Sequence, residues 1–286
     1  MTLVMPGFYM TQTKSASYIK RGVPMYTKEQ LKQQLVSMGL QPSDTVLVHS
    51  SMKAIGEVEG RAEGVLDVLI DYFKDGLLIF PTHTWEQMGE KKLLFDPKTE
   101  PSCVGILPNL FLKREGVSRS LHPTHSVAAI GENSDKYLKD DTHGTPCHRY
   151  GCFGKLYDYK AKLLFIGVGM DKNTFIHSVE EWMDVPNRLT DRPVRFKVKL
   201  PNGAQQHAAT YRHVKGGISD KYVKMTDPFL AKGCMTSARF GEADCYVGDA
   251  VKMADLLVNY LERDLHLFDD FSSVPDSWYK DENEKN

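Results

Sequence analysis

Several things are missing from this 286-residue chain, and each absence closes off a class of function. There is no run of about 18 apolar residues, so no membrane-spanning helix is expected. Charge of one sign is not in excess. Thirty-six Lys and Arg stand against 37 Asp and Glu, and a net charge of −1 leaves no basic footprint for nucleic acid. The five cysteines are odd in number and irregular in spacing, which argues against a disulfide scaffold and for a reducing, cytoplasmic setting. The opening segment MTLVMPGFYMTQTKSASYIK lacks a basic start followed by a long apolar stretch, so no signal peptide is expected. Neither G-x-G-x-x-G nor G-x-x-x-x-G-K-[ST] occurs, so a dinucleotide fingerprint and a P-loop are both unsupported.

What remains is a globular composition, 41% hydrophobic and 26% charged, that supports a sizeable core. Thr27 and Gln30 have the spacing of a capping box, followed by Leu31, Leu35 and Met38 at helical intervals and by Gly39 as a stop. Thr45–Val48 reads as a buried strand ending at His49, Leu77–Phe80 as a second, Val127–Ile130 as a third and Leu163–Val168 as a fourth. Helices are expected near 62–74 and 106–113, from Thr174 as a cap onward, and from an Asp249 cap to about Glu262. Asp227 reads as another cap. Val194–Leu200, a Pro201-Asn202-Gly203 turn and Gln206–Tyr211 read as a hairpin.

Strands alternating with helices imply an α/β protein with a mostly parallel sheet covered on both faces and an antiparallel portion towards the C-terminus. No internal repeat or Gly/Ser/Pro-rich linker is visible, so residues 1–286 are read as one domain, with an irregular arm at 1–22 and a frayed tail at 275–286. The long polar segment 84–104 reads as a functional or mobile loop.

Polar residues collect just past the strand ends, where open α/β sheets place ligands. Ser50-Ser51-Met52-Lys53 follows a strand directly, and its hydroxyls, backbone N–H groups and ammonium suit an anion such as a pyrophosphate, although a plain strand-to-loop turn reads the same way. His177 lies three residues before Glu180 and four before Glu181, which puts both carboxylates on the histidine's face of a helix. A carboxylate beside an imidazole fixes its tautomer and raises its basicity, as a general base requires, although a helix histidine with a surface Glu pair is the commoner case. His122, His125, His143, Cys147, His148 and Cys152 suggest zinc, but their spacing is ragged and Pro123 breaks the first pair, so no metal is expected. Cys147 and Cys152 read as buried structural thiols rather than nucleophiles.

Taken together, His49-Ser50-Ser51-Met52 with Ile55-Gly56 and Gly60, Pro81-Thr82-His83-Thr84, Phe95-Asp96-Pro97, Arg119-Ser120-x-His122-Pro123 with Ser126, and Thr174-x-x-His177-x-x-Glu180 resemble the aminoglycoside 3-N-acetyltransferase family. The resemblance spans roughly residues 27–190 in order, and the C-terminal third matches only loosely. It implies a three-layer α/β/α sandwich, acetyl-CoA as co-substrate and an amine acceptor, in the namesake case the 3-amino group of an aminoglycoside, with antibiotic resistance as the outcome. By the resemblance, His177 is the general base and Glu180 its partner. The coenzyme falls to Ser50, Ser51, Met52, Lys53, Thr82, Arg119, Ser120, His122 and Ser126. His83, Asp96, Glu181 and Asp184 are the expected acceptor contacts, and a homodimer is left open. The chain departs from the family pattern at Gly60-Arg61, where two glycines are usual, and at Gly151-Cys152, where Ser-Pro is usual. A smaller amine as acceptor, a thioester hydrolase and a silent CoA-binding protein remain as alternatives.

Overall fold

A computed structural model describes residues 25–139 and 141–280. The expected N-terminal arm lies outside these residues. In chain order the strands are β1 (Thr45–Ser50), β2 (Leu77–Pro81), β3 (Leu94–Phe95), β4 (Ser118–Arg119), β5 (Val127–Gly131), β6 (Lys162–Ile166), β7 (Val194–Lys199), β8 (Gln205–Thr210), β9 (Met235–Phe240) and β10 (Ala243–Asp249). The helices are α1 (Lys28–Ser37), α2 (Met52–Ile55), α3 (Arg61–Tyr72), α4 (Ile106–Phe111), α5 (Ser134–Leu138), α6 (Cys152–Asp158), α7 (Thr174–Trp182), α8 (Thr226–Ala231) and α9 (Ala250–Arg263).

The main sheet runs β4-β5-β2-β1-β6-β10-β9. It is a mixed sheet. Only the central β2-β1-β6 ladders are parallel, and both flanks are antiparallel. The antiparallel part is therefore wider than the sequence pattern indicates. β9 and β10 do not stand out in that pattern because their faces alternate polar and apolar residues only weakly, with Thr236, Ser237 and Arg239 exposed.

The apolar central strands bury both faces. Leu47, Leu77, Ile79, Leu163 and Phe165 pack towards α6, α7 and α9. Their neighbours Val46, Val48, Leu78, Phe80, Leu164 and Ile166 pack towards α1, α3 and α4. The period-two alternation splits one sheet between two cores, which makes the three-layer α/β/α sandwich. Each fully buried Leu, Ile or Phe here contributes about 1.5–3 kcal/mol of transfer free energy. A small sheet, β3-β7-β8, stands apart over Met88, Phe95, Phe196, Val198 and Ala208.

Local expectations meet mixed outcomes. The Thr27–Gln30 capping box is present on both sides, and Asp249 caps α9 through the N–H groups of Val251 and Lys252. Thr174 is not the α7 cap; Asn173 accepts from the Phe175 N–H instead. Asp227 lies inside α8, in its first turn, and is not its cap. The tail is held as far as Lys280, because the Tyr260 hydroxyl donates to the Trp278 carbonyl at 3.1 Å and the Arg263 guanidinium covers the Trp278 ring. Arg61, where two glycines are usual in the resembled family, takes φ +53° directly after Gly60 at +72°. A left-handed turn opens α3, and a side chain occupies it at some cost. No helix among the described residues is long and apolar enough to cross a membrane.

Candidate active site

The parallel strands β1 and β6 end side by side, Ser50 opposite Ile166, and their continuations form the walls of a cleft of about 670 Å³. Ser50, Ser51, Met52 and Lys53 line one side, Gly105–Leu107 a second, and Gly167–Gly169 with Asp171 and Lys172 a third. Gly167 is required here: it sits at φ +64°, and a Cβ on it would come within 2.3 Å of the Ala54 Cβ. The Ser50 and Ser51 hydroxyls make no hydrogen bonds, and Lys53 no ion pair, among the described residues. The cleft therefore keeps hydroxyls and an ammonium uncommitted beside an apolar floor, a composition suited to a phosphate-bearing thioester.

Helix α7 starts just beyond this wall and carries the expected pair. The His177 side chain retains 14% exposure, while Glu180 is completely buried. The two are 3.4 Å apart at Nδ1 and Oε2, and Tyr222 bonds to both. The Tyr222 hydroxyl is 2.6 Å from His177 Nδ1 and makes a very short bond to Glu180 Oε2. The other carboxylate oxygen accepts from Arg188 Nε at 2.5 Å, and Arg188 also meets Asp269 at 2.9 Å. Burial pushes the Glu180 carboxyl up, but His177, Arg188 and Tyr222 overcome it and hold the group below its ordinary value. An ionised carboxylate only accepts, so the single tyrosyl proton goes to Glu180. His177 Nδ1 must then be the donor to the tyrosine oxygen. The Nε2 lone pair is left free to take a proton.

Neutral rings surround His177. His213 stacks on it with centroids 4.0 Å apart and donates from Nε2 to Glu181 Oε1 at 3.1 Å. Burial brings the His213 imidazole down to about 4, so it is uncharged at neutral pH. His125 packs edge-on against His213, and His83 packs against His125. Burial, with mutual repulsion, lowers both well below the usual range.

The expected coenzyme residues separate into two groups. Ser50, Ser51, Met52 and Lys53 line the cleft. Thr82, Arg119, Ser120, His122 and Ser126 do not; they are spent inside the protein. Arg119 donates to the Thr82 and Glu100 carbonyls at 2.7 and 2.5 Å and to the Ser126 hydroxyl at 3.0 Å, with its guanidinium over Phe95. The Ser120 hydroxyl accepts from the Val127 N–H, and His122 Nδ1 from the His125 N–H. The Arg119 donors thus already meet internal oxygens and tie the 82–84 and 119–126 loops together.

The expected acceptor contacts are also largely committed. His83 is 4% exposed and meets the Thr174 hydroxyl at 3.2 Å. Asp96 pairs with Lys199 at 2.9 Å. Glu181 is held by His213, by the Cys147 N–H and by a very short bond from the Thr145 hydroxyl. Asp184 follows α7 at φ +49° and is exposed. Tyr222, Arg188 and His213 are additions. No motif marks them; Arg188 follows Glu180 by eight residues, while Tyr222 and His213 reach the pair only through the fold of the C-terminal third.

The family model described as aminoglycoside 3-N-acetyltransferase matches residues 47–262. Aminoglycoside N(3)-acetyltransferase III of Salmonella sp is 24% identical over 273 residues, covering 84% of this chain and 92% of that protein. The SPbeta prophage-derived aminoglycoside N(3')-acetyltransferase-like protein YokD of Bacillus subtilis is 28% identical over 175 residues, covering 54% and 64%. Among solved structures, AAC-IIIb in binary complex with CoASH superposes with TM-score 0.74 at 21% identity, covering 84% of this chain and 97% of that one. A histidine-to-alanine mutant of AAC(3)-IVa in complex with a gentamicin superposes with TM-score 0.75 at 21% identity, covering 87% and 93%.

Proposed function

Because this chain belongs to the aminoglycoside 3-N-acetyltransferase family, we propose that it transfers the acetyl group of acetyl-CoA to an amine, with His177 as general base. One observation carries the reading: a partly exposed imidazole whose Nδ1 is bound through Tyr222 to a buried, ionised Glu180, which leaves Nε2 as an acceptor. His177 is not itself among the residues that line the cleft, and its helix begins just past Lys172 on the cleft wall. The relative solved with CoASH supports the thioester as donor. The cleft lined by Ser50, Ser51 and Lys53 is the place for it in this chain.

The steps follow from the residues. The acceptor amine attacks the thioester carbonyl while His177 Nε2 takes its proton. The positive charge gained by the imidazole is offset by Glu180 through the tyrosine. Arg188 keeps Glu180 charged and fixed throughout. The Ser51 hydroxyl, with nearby backbone N–H groups, is the donor we assign to the oxyanion of the tetrahedral intermediate; the Ser51 N–H itself is held by the Ile166 carbonyl. Collapse of the intermediate expels the CoA thiolate, which takes up the proton held on His177 Nε2, directly or through solvent, and so restores the base.

The 3-amino group of an aminoglycoside is the acceptor that the relatives' names supply, and it is the first to assay. The test incubates the protein with acetyl-CoA and a panel of aminoglycosides and simpler amines, following free thiol. Thiol release that requires an amine, together with a mass gain of one acetyl group on that amine, supports the reading. Release at an unchanged rate without any amine would point to a hydrolase. No release with any amine would overturn the reading.

A further inference from the structure

Three side chains that no sequence motif joins converge beside His177. Cys147 comes from the loop after α5, Glu181 from α7 and His213 from the segment after β8. The Cys147 Sγ, a Glu181 carboxylate oxygen and a His213 ring nitrogen all lie within 4.8 Å of one another, and none of the three residues is exposed. From this convergence we propose that Cys147, Glu181 and His213 form a binding site for a soft divalent cation of the zinc type.

The chemistry of the donor set fits. Thiolate, imidazole and carboxylate are the three ligand types that zinc accepts, and three protein ligands leave a fourth position open. The spacing fits as well. His213 Nε2 and Glu181 Oε1 are 3.1 Å apart. Two ligands at zinc bond lengths of about 2.0–2.1 Å and a tetrahedral angle are separated by about 3.3 Å. A cation replacing the bridging proton therefore needs little movement of either group.

Charge favours occupancy. At present Glu181 brings one negative charge into a buried place, where hydrogen bonds hold it. A divalent cation with one thiolate and one carboxylate sums to zero, which burial tolerates better. Binding releases the Cys147 thiol proton to solvent, and the His213 proton moves from Nε2 to Nδ1 by exchange with solvent. The outer contacts are already in place: the Thr145 hydroxyl and the Cys147 N–H both hold the Glu181 carboxylate in orientation. The ring that would be anchored is the one stacked on His177 at 4.0 Å.

The experiment uses the full chain, reduced and freed of metal with a chelator that is then removed. Cobalt(II) is titrated in as the probe, and its near-ultraviolet thiolate charge-transfer band and visible ligand-field bands are read. The expected result is saturation at one equivalent, with bands of a tetrahedral thiolate site that are abolished by one equivalent of zinc. Cys147→Ser should remove the charge-transfer band and weaken zinc at least about 100-fold. Cys234→Ser, at a buried thiol facing the Lys252 carbonyl, should leave both unchanged. Because the three ligands meet only in the folded chain, zinc should also raise the Tm of the unaltered protein. That measurement decides the matter if the serine variant does not fold. A thiolate band that survives Cys147→Ser, no band in the unaltered protein, or a Tm unmoved by zinc would each overturn the proposal.

Discussion

Replacing Tyr222 by Phe removes one hydroxyl and leaves the ring, which is fully buried against His177 and Phe268. That hydroxyl is the short link between the imidazole and its carboxylate. It lies 2.6 Å from His177 Nδ1, whereas Glu180 Oε2 itself is 3.4 Å from the same nitrogen. Without it the imidazole must bridge the longer gap alone, and a buried carboxylate oxygen loses a donor. Hydrogen bonds to charged groups are worth about 1.5–3 kcal/mol, which is roughly a 10- to 150-fold change in rate if the bond is needed as His177 becomes cationic. The expected outcome is a kcat lower by about 10- to 100-fold with KM changed less than about threefold, since neither group is assigned to substrate binding. Stability falls too, by about 1–3 kcal/mol, from the donor lost by Glu180. Steady-state assays of thiol release, run beside denaturant melts, separate the two effects. A folded Tyr222→Phe protein whose kcat stays within about threefold of the parent would refute the relay and leave the tyrosine a packing role.

Other expectations follow from the same contacts. Arg188→Met leaves the buried Glu180 without its cation and should cost about 3–5 kcal/mol in urea unfolding; adding Glu180→Gln should recover part of this, and a simple sum of the two losses would contradict the pairing. Arg61→Gly relieves a left-handed residue at the start of α3 and should stabilise the protein by about 0.5–1 kcal/mol, net of the entropy glycine adds to the unfolded chain; a loss of stability would show that the Arg61 side chain matters more than its backbone. His49 and His122, buried as neutral rings, are lowered by burial from an ordinary 6.5 to about 3 and about 4. The unfolded chain therefore binds protons that the folded one refuses. Their contribution is complete above about pH 6.5 and is lost as pH falls towards 4, at about 1.4 kcal/mol per pH unit for each histidine. Unfolding free energies that do not change between about pH 6.5 and about pH 4.5 would contradict that assignment.

The parts of this molecule that are legible in its sequence are the locally determined ones. Four apolar runs mark β1, β2, β5 and β6, because both faces of each are buried and leave few polar residues to dilute the signal. The Thr27 capping box and the Asp249 cap are contacts within four residues, and spacing alone specifies them. His177 and Glu180 are legible for the same reason, being one helical turn apart. Tyr222 and Arg188 are not. Tyr222 lies 42 residues beyond Glu180, past the β7–β8 hairpin, and nothing in its neighbours announces a buried hydroxyl. Arg119 shows a different limit of spacing. A cation in a polar loop reads as a phosphate ligand, yet here it is consumed by the Thr82 and Glu100 carbonyls. Spacing reveals which residue types are present, while the partners already satisfied inside the fold decide which of them are free to bind.

The most direct test of the central claim is the rate of acetyl transfer by His177→Ala, measured in a single turnover with acetyl-CoA and whichever amine the panel identifies. If His177 is the base, the chemical step should slow by about 10²–10⁴-fold, with thermal stability and CoA affinity close to those of the parent. A chemical step slowed by less than about fivefold in a folded, CoA-binding His177→Ala protein would contradict the account.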